Sequence, residues 1–109
     1  MNKGVYMNVI VTATFDAKIG HEDALFSALE ASLPAVHEEP GCITFALHRS
    51  ETGNPVLIEN WENTELLETH LSGQPVAALV ERIQPHLAAD PVVVRLTPVP
   101  VGAANHGTI

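Results

Sequence analysis

The stretch Cys42–Glu62, CITFALHRSETGNPVLIENWE, decides the fold. From Cys42 to Ser50 the apolar residues Ile43, Phe45 and Leu47 alternate with Thr44, Ala46 and His48, the period of a half-buried strand. Glu51-Thr-Gly-Asn-Pro55 reads as a turn, and Val56 to Glu62 returns as the partner strand of a hairpin. On both sides of this hairpin the period changes from two to between three and four. Upstream, Leu25, Leu29, Leu33 and Val36, joined by Phe26 and Ala28, mark an amphipathic helix starting at His21. Pro34 is expected to kink or tighten its last turns, and Pro40-Gly41 to end it. Downstream, Asn63-Thr64 caps a short helix to about Leu71, with Leu66, Leu67 and His70 along one side. Ser72-Gly73-Gln74-Pro75 interrupts it, and Val76, Leu79, Val80, Ile83 and Leu87 mark a second piece. The outermost stretches, Asn8–Phe15 (NVIVTATF) and Val92–Thr97, are rich in β-branched residues and read as strands.

The resulting order is β-α-β-β-α-β, an α+β ferredoxin-like sandwich in which a four-stranded antiparallel sheet carries helices on one face. Residues 1–98 form one domain, and residues 99–109 are expected to be an extended arm or disordered tail. Val9-Ile-Val11 and Val92-Val-Val94 put apolar side chains on both faces of the sheet. Helices cover only one face, so a second copy packed sheet against sheet is expected, giving an isologous homodimer.

Composition narrows the function. Thirteen acidic against five basic residues give a net charge of −8, which argues against nucleic acid and anionic membrane surfaces. No apolar run approaches the ~20 residues a bilayer crossing needs, and the N-terminus lacks a signal pattern. The single cysteine, Cys42, excludes an internal disulfide and suits a reducing cytoplasm; it reads as a small buried hydrophobe. No His-x-His or paired histidines at i,i+4 occur, so no metal site is expected, and no phosphate loop, dinucleotide fingerprint or nucleophile elbow is present.

The residues that suggest chemistry are Trp61, Glu59 and His70. Glu59 lies two residues before Trp61 and shares its face of the strand. An enclosed carboxylate there has a raised pKa and can accept a proton; the competing expectation is an ion pair with Arg49 or Arg82. Trp61 is either core filling or a pocket wall that stacks on a planar ligand. His70, on the apolar side of its helix, has the ordinary pKa of a general acid or base near neutrality. His48 is the second polar candidate at the ligand, and Leu66, on the same side of the helix as His70, its apolar neighbour. His21, His37, His86 and His106 fall at element ends or in the tail and are expected to be solvated.

On these residues the chain resembles the antibiotic biosynthesis monooxygenase (ABM) family. The resemblance spans about Asn8 to Pro98 and rests on the first strand with Gly20, Glu39-Pro-Gly-Cys42, Glu59-x-Trp61 and the following His70. It implies a dimeric α+β barrel with a pocket between each subunit's sheet and helices. It also implies a cofactor-independent monooxygenase that oxidises quinol-type or polycyclic phenolic substrates with O₂, without metal, flavin or haem. In that reading His70 is the base or proton shuttle, Trp61 the stacking wall and N–H donor, and Glu59 orients or shares the proton. The family is functionally mixed, so the resemblance also admits haem degradation, sugar-phosphate isomerisation, and a non-catalytic ligand-binding or stress-associated dimer. Thr12 and Thr14 stand on the first strand where haem-degrading members use Asn. Only Arg49, Arg82 and Arg95 could meet a phosphate, and Tyr6, the one tyrosine, lies outside the expected fold.

Overall fold

The computed structural model describes residues 7–109; Tyr6 falls outside them. Strand β1 is Val9–Thr14, β2 Cys42–Arg49, β3 Pro55–Trp61 and β4 Val92–Leu96. They form one antiparallel sheet in the order β2-β3-β1-β4. Helices α1 (Glu22–His37), α2 (Thr64–Leu71) and α3 (Gln74–Ile83) pack on one face, and a single 3₁₀ turn, Gln84–His86, follows α3. The fold is therefore the α+β ferredoxin-like sandwich, with its second helical segment divided in two. Leu25, Leu29 and Val36 of α1 meet Val11, Ala13, Phe45, Leu57 and Trp61 of the sheet in one buried cluster with Leu67, Leu79 and Ile83.

Pro34 does not end α1, which runs on to His37. The chain stops there and turns at Pro40-Gly41, where Gly41 takes φ +83°. A Cβ at Gly41 would also lie 2.6 Å from Leu66 Cδ1, far inside van der Waals contact. Glycine is thus required twice, for the left-handed backbone and for the close approach of this turn to α2. The Glu62 N–H closes the contact by donating to the Gly41 carbonyl at 2.9 Å. That approach brings Glu39 to the flank of α2.

At the start of α2 the Asn63 side chain accepts from the Leu66 N–H, capping the helix and offsetting one of its orphan donors. Pro75 sits in the first turn of α3, where a missing N–H costs nothing.

One expectation about strand faces needs correction. A β-bulge between Cys42 and Thr44 shifts the register. Ile43 is thereby turned out, 54% exposed, away from Phe45 and Leu47. Beyond β4, residues 98–109 have no strand or helix but fold back beside the sheet's helix-free face. Their last residues, His106 to Ile109, line a hollow with Ile10 and Leu96, and the Ile109 carbonyl accepts from Asn60 Nδ2 at 3.3 Å. Ile10 and Val11, neighbours on opposite faces of β1, are both buried. Val92, Val94 and Leu96 of β4 stay 44–61% exposed.

Candidate active site

Among the described residues, Glu59 is the only acidic side chain in the middle of the sheet's helix-covered face. Its cross-strand neighbours are Val11 on β1 and Phe45 on β2, and it is 6% exposed. An unpaired carboxylate in such surroundings is costly. Here the indole of Trp61, two residues on along the same face, donates from Nε1 to Glu59 Oε1 at 2.8 Å. Neither expected arginine pairs with Glu59. The Arg49 guanidinium lies 3.7 Å over the Phe26 ring, and Arg82 donates to the Ser32 hydroxyl.

Trp61 is completely buried and stacks on His70, with ring centroids 4.4 Å apart and planes 29° from parallel. Phe45 meets both rings edge-on, at 6.5 Å from Trp61 and 5.8 Å from His70. This trio is a compact aromatic wedge behind Glu59. The flat partner of the indole is thus an imidazole, and Trp61 has no free face for a ligand. His70 Nδ1 in turn lies 2.7 Å from Glu39 Oε2. A carboxylate only accepts, so Nδ1 carries the hydrogen when Glu39 is ionised. Sequence reading placed Glu39 within the Glu-Pro-Gly-Cys turn but gave it no role at the site; its distance of 31 residues from His70 hides the contact.

Burial pushes the Glu59 carboxyl up from its ordinary value of 4.5, and the Glu39 carboxylate adds to that push. The Trp61 N–H and positive charge on His70 act the other way. Burial also raises the Cys42 thiol, with Glu39 and Glu59 reinforcing it, which suits an inert packing residue more than a nucleophile.

Glu59 opens onto a cavity of about 130 Å³ between the sheet and helices α2 and α3. Val11, Ala13, Phe45 and Leu57 floor it, and Leu67, Leu79 and Ile83 roof it. Leu71, Val80, Val93 and Arg95 also line it and are exposed, so the cavity opens to solvent along β4. Its size approaches the ~150 Å³ that holds a benzene ring in a packed interior. The expected site residues divide accordingly. Glu59 faces the cavity, while Trp61 and His70 stand behind it. His48, exposed and close to its own strand's Ala46 carbonyl, lies on the other face of β2 because alternation sets it opposite Phe45. Leu66 turns toward Gly41, and its neighbour Leu67 takes the cavity position. Two histidines expected in solvent instead meet, His21 Nδ1 lying 3.0 Å from His86 Nδ1. Among the described residues no group of three His, Cys, Asp or Glu is placed to hold a metal ion. No helix among the described residues is long and apolar enough to cross a membrane.

The model of the antibiotic biosynthesis monooxygenase family matches residues 8–82, which run from β1 into the last turn of α3 and include the whole Glu39–Glu59–Trp61–His70 assembly. The chain belongs to this family. Solved structures agree on the fold of this ABM protein. Rv0793 from Mycobacterium tuberculosis is 24% identical, with TM-score 0.79, covering 88% of this chain and 99% of its own. A structure called simply antibiotic biosynthesis monooxygenase is 26% identical, with TM-score 0.76, covering 84% and 99%. A protein of unknown function from Nitrosomonas europaea is 21% identical, with TM-score 0.78, covering 92% and 97%. No curated protein matches the sequence.

The raised Glu59 pKa has a definite consequence for stability. The folded state holds this proton more tightly than the unfolded chain. The associated stability is complete below pH 4.5 and is lost as pH rises through the folded value. Glu59→Gln keeps an acceptor for Trp61 Nε1 and removes the titration. Urea unfolding across pH 4–8 is expected to show the variant gaining on the wild type above pH ~4.5, at up to about 1.4 kcal/mol per pH unit. Parallel stability curves would contradict a buried, desolvated Glu59.

Proposed function

We propose that this ABM protein is a cofactor-independent monooxygenase that oxidises a quinol-type or polycyclic phenolic substrate with O₂. The observation that carries this reading is a buried carboxylate, Glu59, presented to a ring-sized cavity whose lining is apolar apart from Arg95 at its rim, with one oxygen held by Trp61 Nε1. A mostly apolar cavity favours a flat aromatic body, and a desolvated carboxylate is a stronger base than one in water.

In this mechanism the substrate enters from the β4 side with its acidic C–H or O–H toward the free oxygen of Glu59. Glu59 takes the proton. The resulting anion passes one electron to O₂, the two radicals combine to form a carbon–oxygen bond, and Glu59 returns its proton to the peroxide anion. Loss of water from the hydroperoxide leaves a carbonyl, so an anthrone CH₂ and O₂ become a quinone C=O and H₂O. Trp61 fixes Glu59, and His70, held by Glu39, offsets negative charge from behind the indole. Glu59 thus takes the role of base, with His70 as a positioning and charge-balancing residue. This reverses the division expected from sequence.

Oxygen uptake with anthrone, naphthol and menadiol substrates tests the reading. Glu59→Gln is expected to lower kcat by 10²–10⁴-fold, the usual contribution of a positioned base. His70→Ala is expected to lower kcat less and to shift its pH profile to higher pH, as a lost positive charge requires. Turnover unchanged in Glu59→Gln, or equal turnover without O₂, refutes it.

The same reading includes a cytoplasmic homodimer. Val92, Val94 and Leu96 project from the outer face of β4, where the helices do not reach, and a second copy would cover them. Sedimentation at micromolar concentration is expected to give twice the 11.7 kDa chain mass; a single protomer at that concentration contradicts the dimer.

A further inference from the structure

The register of the sheet sets Glu59 and Arg95 in one row. Val11 is the cross-strand partner of both, Glu59 on β3 and Arg95 on β4. Residues in one row of an antiparallel sheet point to the same face, and two strand spacings separate the outer pair by about 10 Å between Cα atoms. Both side chains line the same cavity, Glu59 at its buried end and Arg95 at its open rim. Among the described residues that line the cavity, Arg95 is the only cationic side chain.

From this arrangement we infer that Arg95 is a specificity residue that selects aromatic substrates bearing a carboxylate about one fused ring away from the group that Glu59 deprotonates. The inference rests on the cavity assignment made for the proposed function and adds the substrate class to it. With a net charge of −8, the protein repels anions at large, so an anionic ligand needs a local cation to enter. The Arg95 guanidinium supplies one with a fork that matches a carboxylate.

Its present partner is replaceable. Arg95 Nη2 donates to Glu68 Oε1 at 3.0 Å, and both side chains are about half exposed. Exposed pairs of this kind contribute little to stability. The bridge runs from β4 to α2, so it spans the edge of the cavity. A substrate carboxylate exchanges for that of Glu68, opening the bridge and leaving Arg95 paired. The other described arginines are engaged elsewhere, Arg49 on Phe26 and Arg82 at Ser32.

Calorimetric titration with 2-naphthol and 6-hydroxy-2-naphthoic acid at pH 7.5 tests this without requiring turnover. The wild type is expected to bind the acid at least tenfold more tightly than the naphthol, with the preference shrinking as salt is added. Arg95→Gln should lose that preference, weakening the acid far more than the naphthol. Arg95→Lys should keep part of it, and Glu68→Gln should tighten only the acid, severalfold. An acid-to-naphthol ratio unaltered in Arg95→Gln overturns the role of Arg95 and leaves the cavity assignment standing. Failure of both probes to bind the wild type overturns the inference together with the proposed function.

Discussion

A carboxylate placed in the middle of a hydrophobic strand row is the constraint around which this small protein is organised. Glu59 lies between Val11 and Phe45 with helices above it, so water cannot solvate it freely. Ionised, it needs donors and compensating charge. The Trp61 N–H supplies the donor, and the histidine stacked on that indole can supply the charge. The imidazole is held by a second carboxylate, Glu39, which the Gly41 turn brings against α2. The polar chain starts within β3 and passes to His70 on α2 and Glu39 in the α1–β2 turn, so these three parts are tied together. A partly satisfied chain of this kind costs more than an apolar core. Such a group is hard to account for by packing alone, because leucine at position 59 would fill the same space without the cost.

The order of elements was legible because period and punctuation agree over most of the chain. NVIVTATF and the Cys42–Glu62 hairpin carry the two-residue period, and Leu25 to Val36 the helical one. Pro and Gly stand at the boundaries. The bulge at Ile43 escaped because alternation was assumed to run unbroken from Cys42, and one extra residue reverses a side chain's face. The continuation of α1 through Pro34 is as the Leu25-to-Val36 period predicts, with the packing of Val36 overriding a local propensity.

The site was legible in part. Glu59 and Trp61 share a face by simple alternation, and their hydrogen bond follows from that spacing. The stacking of Trp61 on His70 does not follow from spacing, because it depends on how α2 lands on the end of β3. Glu39 and Arg95 are joined to the site only by turn geometry and by the β1–β4 register, neither of which is local in sequence. The same cause turns Leu66 toward Gly41 and gives Leu67 the cavity position. His48 lies opposite Phe45, as its alternation predicts, on the face away from the cavity.

Membership of the ABM family fixes the fold and the setting, and the particular chemistry rests on the state of one side chain. That state is directly observable. With ¹³C-labelled glutamate and Glu59→Gln to assign the resonance, the Glu59 carboxyl signal can be followed by NMR from pH 3 to 9. A midpoint clearly above 4.5 is predicted, moving further up when His70 is replaced by alanine. A midpoint at or below the ordinary value, unaffected by His70, would contradict a desolvated base at the head of the cavity.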